Sequence, residues 1–229
     1  MEALLKLADG FDRFSSWIGR MVGWLMLPLI FTIMFDVITR KIDATRLYFA
    51  EWTAQGFYSV STILQDLQWH YHAIILMLTF GFGYMANAHV RVDIFREQLG
   101  RRTQGWMEFW MLIIMAIPFL FVLLSFSWDL MSLAYHQGEG SESMTGINQR
   151  WIIKNVMWVG FAILFIAVLA TMSRLWVMLK GSGEISERAA RSLSIFPNDE
   201  ELAEARRIAE ELIRKEAEAA KNKNTSMGA

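Results

Sequence analysis

The side chains in this sequence best suited to chemistry are its four histidines, His70, His72, His89 and His136. Imidazole is a common axial ligand of haem iron, so a membrane haem protein is one reading. His70 and His89 are nineteen residues apart, which on one helix is about 28 Å, so they cannot bind the same iron. Only His70 or His72 combined with His136 could do so. The ordinary alternative is that these histidines bond to backbone groups or lipid headgroups.

Other arrangements for catalysis are missing from the sequence. It has no cysteine, which excludes disulfides, thiolate catalysis and cysteine metal sites. It has no glycine-rich phosphate loop, and no Ser-His-Asp arrangement is indicated. The net charge is −1, and the charges are segregated to loops and a tail, so no basic patch for nucleic acid is formed. The sequence predicts neither an enzyme nor a resident cofactor.

Four apolar segments are predicted to position whatever functional groups the chain has. Apolar residues make up 54% of the chain, and its ten tryptophans are far more than a soluble domain of this length needs. About 20 apolar helical residues span the hydrocarbon core of a bilayer. The sequence therefore predicts an all-α membrane protein with four transmembrane helices in a domain of residues 1–180. The predicted spans are residues 17–39, 69–88, 106–129 and 151–176.

Three further segments flank these spans. Leu4, Leu7, Phe11, Phe14 and Ile18 recur every three or four residues, which predicts an amphipathic helix over residues 3–18. Residues 42–66 are too polar for a clear span and rich in aromatics, which favours an interfacial helix on the outer face. A Gly-Ser-Gly break opens residues 181–229, predicted to form a charged helical tail with a disordered end. Pro28 and Pro118 each predict an interruption inside a span.

The distribution of Arg and Lys predicts the orientation of the chain. Four spans place both termini and the connection of residues 90–105 on one side of the membrane. That side carries the larger set of cations near the spans, which indicates that both termini are cytoplasmic and that the chain lies in a cell membrane with its lipids. Those cations are Arg13, Arg20, Arg91, Arg96, Arg101, Arg102, Lys180, Arg188 and Arg191.

The middle of every predicted span lacks Asp, Glu, Lys and Arg. Proteins that move ions along their own path place ionisable or unwound polar groups at mid-membrane. We therefore predict that the transport site, if the chain serves transport, lies on another chain, and a free-standing channel is disfavoured. Gly81, Gly83, Gly160 and Ala162 form small-residue surfaces for a helix of this chain or of a second protein.

Four short motifs stand out at the ends of the predicted spans. The most specific is HVRVD at residues 89–93, where the second predicted span ends. The others are LQDLQWH at residues 64–70, the pair Asp36 and Arg40, and Glu-Gly-Ser at 139–141 ahead of Arg150-Trp151. Together these motifs resemble a known family, the small membrane subunit of tripartite ATP-independent periplasmic (TRAP) transporters, and the similarity covers about residues 15–180. Residues 42–60 and the tail after 181 look longer than in typical members.

The resemblance implies a bacterial inner-membrane complex with two partners. A much larger membrane subunit carries substrate and sodium by an elevator motion, and a soluble periplasmic binding protein delivers the substrate, typically a carboxylate. The small subunit braces the static scaffold and needs no cofactor of its own. The alternative from a different class is the membrane anchor of a respiratory enzyme, holding haem or quinone.

Two sets of residues are candidates for contacts with these partners. Contact with the large subunit is the hypothesis for the first set, and local capping or headgroup pairing is its alternative. This set is His89, Arg91, Asp93, Asp36, Arg40, Gln65, Asp66 and Trp69. Contact with the binding protein is the hypothesis for Glu139, Ser141 and Glu142, and plain solvation is its alternative.

Overall fold

The computed structural model describes residues 1–56, 58–88, 99–141, 146–193 and 207–208. Within these ranges all the regular structure is helical, which confirms the predicted all-α class. The α-helices are α1 (Glu2–Gly23), α2 (Met26–Lys41), α3 (Asp43–Ala54), α4 (Val60–Met85), α5 (Arg101–Met111), α6 (Ile117–His136), α7 (Trp151–Lys180) and α8 (Glu184–Arg191). A π-helical turn, Leu112–Ala116, joins α5 to α6.

The interruption predicted at Pro28 lies just before it, at Trp24 and Leu25 between α1 and α2. Pro28 has no N–H, so the carbonyl of Trp24 cannot receive the usual helical bond from four residues on. The N–H of Leu27 donates to that carbonyl instead, at 3.2 Å, and so closes a tighter three-residue turn. The two helices therefore follow one another almost continuously from Glu2 to Lys41.

Pro118 has a comparable effect between α5 and α6. It removes the donor that the carbonyl of Ile114 would receive in a regular helix. The turn just before it is wider than an α-turn, and the N–H of Ile117 donates to the carbonyl of Leu112 five residues back. Such a π-turn is a recognised cause of a bend in a helix.

The first two long segments run in opposite directions. Gly19 of α1 faces Phe82 near the end of α4, and Asp36 of α2 bonds to Ser61 near its start. The continuous segment α1–α2 therefore leads from one end of the molecule to the other, and α4 returns. We call the end with the N-terminus the terminal end, and the end where α2 finishes the loop end.

The next two segments repeat this alternation. Phe109 of α5 packs on Trp176 near the end of α7, and Trp128 of α6 packs on Trp158 near its start. The segment α5–α6 therefore runs from the terminal end to the loop end, and α7 returns beside α4 in the same direction. At the loop end lie α3 and the connection from α6 to α7, and at the terminal end lies α8.

The long helices form a row in the order α2, α4, α7, α6, with α1 packed on both α4 and α7. Helix α7 is central, and it supplies more of the buried apolar side chains than any other described helix, including Val168 and Leu175. Helices α2 and α6 lie at opposite edges of the row. Most of the apolar side chains of these two helices are exposed on the outer surface of the chain.

Three helical stretches among the described residues are long and apolar enough to cross a membrane: Glu2–Lys41, Arg101–His136 and Trp151–Lys180. The predicted second span, residues 69–88, lies mainly in α4 but has different bounds, because this helix begins at Val60 and ends at Met85. Gln, His and Asp side chains occupy the first half of α4 and lower its hydropathy. Length and composition thus support three of the four predicted spans.

The amphipathic helix predicted near the N-terminus is part of α1, but its apolar stripe does not face the protein. Leu4, Leu7 and Phe14 are exposed, while the buried face comprises smaller and neighbouring side chains such as Ala8 and Ser15. Small side chains allow α1 to approach α4 and α7 closely. The larger apolar residues consequently point away from the rest of the chain.

Residues 42–66 contain two different helices rather than one. Helix α3 packs on α2 and buries none of its side chains, whereas residues 60–66 already belong to α4. The predicted break at Gly-Ser-Gly is confirmed, because α7 ends at Lys180 and Gly183 has a φ of +58°. Helix α8 then packs on the bundle through Ala189. The helix predicted over residues 200–221 lies outside the described residues, apart from 207–208, which are helical.

Candidate functional site

A cluster of polar side chains joins α2 to α4 at the loop end. The buried carboxylate of Asp36 accepts from Nε of Arg40 at 3.0 Å and pairs with its Nη2 at 2.8 Å. From α4, the hydroxyl of Ser61 donates to the same carboxylate at 3.3 Å, and the amide of Gln68 donates at 3.4 Å. The Gln65 side chain lies against the guanidinium of Arg40, and when its amide is oriented with the oxygen toward Arg40, that oxygen accepts from both terminal nitrogens.

Asp36 and Arg40 form an ion pair that α4 also binds, while their predicted contact with the large subunit stays a prediction. A buried carboxylate is costly unless charge and hydrogen bonds compensate it, and here one cation and two neutral donors do so. Because Ser61, Gln65 and Gln68 come from α4, the pair fixes the register of α2 against α4. Gln65 thus contacts Arg40 within the chain, but both residues are exposed, and a contact of either with a partner stays a prediction.

Asp66 binds the connection between α6 and α7. Its Oδ2 accepts from the backbone N–H of Ile147 at 2.9 Å. Gly146 lies against both Asp66 and Ser141 and leaves no room for a Cβ atom there. Two predicted contact residues from distant motifs, Asp66 and Ser141, are therefore neighbours. Trp69 points outward and is 76% exposed.

Glu139 is also held within the chain. Helix α6 ends with Gly138 at a φ of +60°, and the N–H of Glu139 donates back to the carbonyl of Ala134 at 3.0 Å. The carboxylate of Glu139 forms an ion pair with Lys154 of α7 and lies 4.0 Å from Arg150. A role of Glu139 in binding a soluble partner stays a prediction. Such a partner could contact only the part of the Glu139 carboxylate that Lys154 and Arg150 leave exposed.

A second charged cluster at the terminal end was not singled out from the sequence. The almost fully buried Arg174 of α7 donates through Nη2 to Asp9 at 3.0 Å and to Asp12 at 3.2 Å, both on α1. Arg188 of α8 approaches Asp9 at 3.7 Å. The sequence did contain one signal for this cluster. Arg174 lies near the end of an apolar run, where a charged side chain requires an acidic partner.

The HVRVD motif, including His89, Arg91 and Asp93, lies outside the described residues, as does Glu142. The structure does describe the exit from α4 just before it. Asn87 has a φ of +53°, and the N–H of Ala88 donates to the carbonyl of Gly83 at 2.9 Å. This is the left-handed C-terminal turn that ends many helices. It explains why α4 stops three residues before the predicted span end.

The ring nitrogens of two histidines contact backbone carbonyls of their own helix. Nδ1 of His70 lies 2.6 Å from the carbonyl of Asp66, and Nδ1 of His72 lies 3.1 Å from that of Gln68. These contacts match the backbone-bonded alternative for the histidines. In the ranges that the structure describes, no three His, Asp or Glu side chains converge as metal ligands would.

Small residues determine how closely the helices of the row approach. Gly81 faces Ile163, and Gly160 lies directly on the backbone of Met77, so α4 and α7 cross with almost no side chain between them. Gly83 has open space where its Cβ would be. Of the small residues noted in the sequence, Gly81 and Gly160 therefore serve packing within this chain.

Comparison with known proteins gives one match. The family model described as "Tripartite ATP-independent periplasmic transporters, DctQ component" matches residues 29–178, from α2 to the end of α7. This is about two thirds of the chain, and it confirms the resemblance found from the motifs. Searches of curated proteins and of solved structures give no significant match.

Proposed function

Because this chain belongs to the DctQ family of TRAP transporter components, we propose that it is the scaffold subunit of a sodium-coupled importer of carboxylates. The family works in complexes with a larger membrane subunit and a substrate-binding protein. In this proposal the large subunit holds the substrate and sodium sites, the binding protein delivers the substrate, and the present chain braces the static part of the complex. The complex lies in the bacterial inner membrane.

The proposed bracing role is supported by ion pairs and hydrogen bonds of charged groups that link helices within this chain. At the loop end Asp36 and Arg40 tie α2 to α4, and at the terminal end Arg174 ties α7 to α1. Between Lys154 and Arg174, helix α7 has no charged residue. Such an arrangement holds helices in fixed positions and offers no mid-membrane group to a moving ion. We expect a rigid support rather than a transport path, and no catalytic function.

We further infer that α4 is the fourth crossing. Helix α2 ends at the loop end and α5 begins at the terminal end, so the chain has to return between them, and α4 makes this return. Its 26 residues extend about 39 Å, and residues 73–85 carry no charge. The polar side chains that lower its hydropathy lie in its first half, where they contact α2 and the connection to α7.

The charge distribution supports cytoplasmic termini. Cations at the loop end lie beside carboxylates of the same end: Arg40 with Asp36, Arg46 with Asp43, and Lys154 with Glu139. The terminal end carries further cations near the spans, including Arg101, Arg102 and Lys180. An excess of cations marks the cytoplasmic side of a membrane protein, so the loop end faces the periplasm in this proposal.

The alternative of a respiratory anchor has no support from the family match. We propose that the chain holds no cofactor, since His70 and His72 contact backbone carbonyls. A visible absorption spectrum of the purified chain tests this point. A Soret band that follows the protein through purification would contradict the proposal and return attention to these two histidines.

The test of function is reconstitution with the two partners encoded beside this chain. The tagged chain is purified in mild detergent, and a co-purifying large membrane protein is identified by mass spectrometry. Liposomes with that protein, with and without this chain, then receive the binding protein loaded with radiolabelled carboxylates, under an inward or a collapsed sodium gradient. We expect uptake only with all three components and the gradient. Uptake at an equal rate without this chain would refute the scaffold role, and uptake unaffected by sodium would refute the coupling.

A further inference from the structure

A lysine and two tryptophans meet where α5 begins and α7 ends. The Nζ atom of Lys180 lies 5.8 Å from the ring centre of Trp106 on α5 and 5.9 Å from that of Trp176 on α7. Both distances are within the range of a cation–π interaction. Gly105 allows this close approach, because it is buried against Met178 and so brings the first turn of α5 onto the last turn of α7.

The positive charge of this cluster is not neutralised by the described residues. Arg102 precedes Trp106 by four residues, so it lies on the same side of α5, and it is exposed. Neither Arg102 nor Lys180 forms an ion pair with any carboxylate that the structure describes, including Glu184, the first one after Lys180. Tryptophan provides no hydrogen-bond acceptor. The rings therefore hold the Lys180 ammonium in place without supplying the oxygen atoms that it would bind.

An exposed apolar stripe leads away from the cluster along α7. Ile166, Leu169 and Trp176 precede Lys180 by fourteen, eleven and four residues, which places all four side chains on one side of the helix. The three apolar side chains are 40–45% exposed. From Leu169 to Lys180 the helix rises about 16 Å, close to half of a hydrocarbon core about 30 Å thick. The stripe thus has the length of an acyl chain in one leaflet.

The position of the cluster along the helices indicates what binds there. The candidate membrane segments Arg101–His136 and Trp151–Lys180 begin and end at this place, and tryptophan with lysine or arginine at such ends is typical of the membrane–water interface. Basic pockets between membrane helices bind the headgroups of anionic lipids. A soluble phosphate, or a carboxylate of a partner protein, would satisfy the cations but would leave the apolar stripe without a role.

We propose that Lys180, Arg102, Trp106 and Trp176 form a binding site for an anionic phospholipid. The phosphate ester and its headgroup lie at the two cations, and an acyl chain lies along the stripe of α7 that ends at Lys180. The cations select an anionic lipid over a zwitterionic one, and the stripe selects a lipid over a free phosphate ester. The site does not depend on the proposed function, because it requires only that the chain lies in a bilayer.

The first experiment measures lipid binding to the purified full-length chain by native mass spectrometry in mild detergent. The chain is titrated with dioleoyl phosphatidylglycerol, with phosphatidylcholine that has the same acyl chains, and with glycerol phosphate, which has no acyl chain. We expect phosphatidylglycerol to bind several-fold more tightly than the other two. Equal affinity for phosphatidylcholine would refute the role of the cations. Equal affinity for glycerol phosphate would identify a site for soluble anions and overturn the proposal.

Substitutions then locate the site. One cation near an anionic headgroup contributes about fivefold in affinity, so we expect Lys180→Gln to weaken phosphatidylglycerol binding about fivefold, and the double variant with Arg102→Gln about 25-fold. Trp106→Leu keeps every charge and also weakens binding, because Lys180 loses one of the rings that hold it. Lys41→Gln is the matched control, since it removes an exposed lysine from the end of α2. Equal losses from Lys41→Gln and Lys180→Gln, or no loss from Lys180→Gln, would overturn the proposal.

The same measurement on the assembled complex separates a lipid from a protein occupant. The chain is purified together with its larger membrane partner, and the phosphatidylglycerol retained by the complex is compared between the unsubstituted chain and Lys180→Gln. We expect the substituted complex to retain several-fold less. Equal retention would indicate that a carboxylate of the partner, rather than a lipid, occupies the two cations in the complex, and it would overturn the proposal.

Discussion

Adding one methyl group at Gly160 should separate the two central helices of the row. A Cβ atom built on Gly160 lies 2.6 Å from the carbonyl oxygen of Met77 and 2.8 Å from its Cβ. The nearest atom is backbone, which cannot rotate away as a flexible side chain would. Gly160→Ala therefore requires that α4 and α7 move apart along their crossing.

The size of the effect follows from that distance. A separation of 2.6 Å is about 0.8 Å short of ordinary contact, and forcing extra atoms into packed sites costs about 1–3 kcal/mol. Alanine also stabilises a helix by up to about 1 kcal/mol relative to glycine, and this gain partly offsets the steric cost. Gly83→Ala is the matched control, because Gly83 lies in α4 with nothing within 4 Å of a built Cβ. The difference between the two variants then isolates the steric cost.

The assay is equilibrium unfolding in mixtures of mild detergent and SDS, followed by far-ultraviolet circular dichroism. We expect Gly160→Ala to lower the free energy of unfolding by about 1–3 kcal/mol relative to Gly83→Ala. Equal stabilities of the two variants, with neither below that of the unsubstituted chain, would refute the close crossing of α4 and α7. A stability of Gly83→Ala as low as that of Gly160→Ala would instead indicate that Gly83 contacts another helix.

Three further substitutions test the polar links. Arg174→Met leaves two aspartates of α1 without their cation, so we expect the amides of α1 to exchange hydrogen at least about tenfold faster, measured by mass spectrometry. Asp36→Ala leaves Arg40 without its acid and removes the link from α2 to α4, and a loss of about 1–3 kcal/mol in the same SDS titration is expected. An unchanged midpoint would show that water or headgroups replace the pair. Asp66→Ala removes the acceptor of the Ile147 N–H, and we expect faster tryptic cleavage at the start of α7 with unchanged unfolding of the row.

The sequence predicted the helices but not how they are arranged. Apolar runs and tryptophans were sufficient for the all-α class and for three spans, because these signals depend only on local composition. The helix that carries the second predicted span begins before residue 69, because Gln65, Asp66 and Gln68, interpreted from the sequence as a lead-in, belong to α4. Their polarity is compensated by α2 and by the backbone of residues 146–147, and such tertiary partners are invisible in a linear pattern.

Periodicity indicated an amphipathic helix at the N-terminus but not which face of α1 packs on the row. The stripe from Leu4 to Ile18 is the most apolar face, and in water it would turn inward. In a membrane the large apolar side chains can remain outside, while close approach selects small ones, so Ser15 and Gly19 face the row. Arg174 was overlooked for a related reason, because its two acidic partners lie more than 160 residues away in the sequence.

The order of the helices explains why polar and glycine contacts matter so much in this chain. In lipid there is no hydrophobic force to drive helices together, and a row buries much less surface than a compact bundle. The row must therefore be held by close crossings, such as Gly160 on Met77, and by charged links at its two ends. Those contacts all lie within the chain, so the row can be complete before a partner arrives.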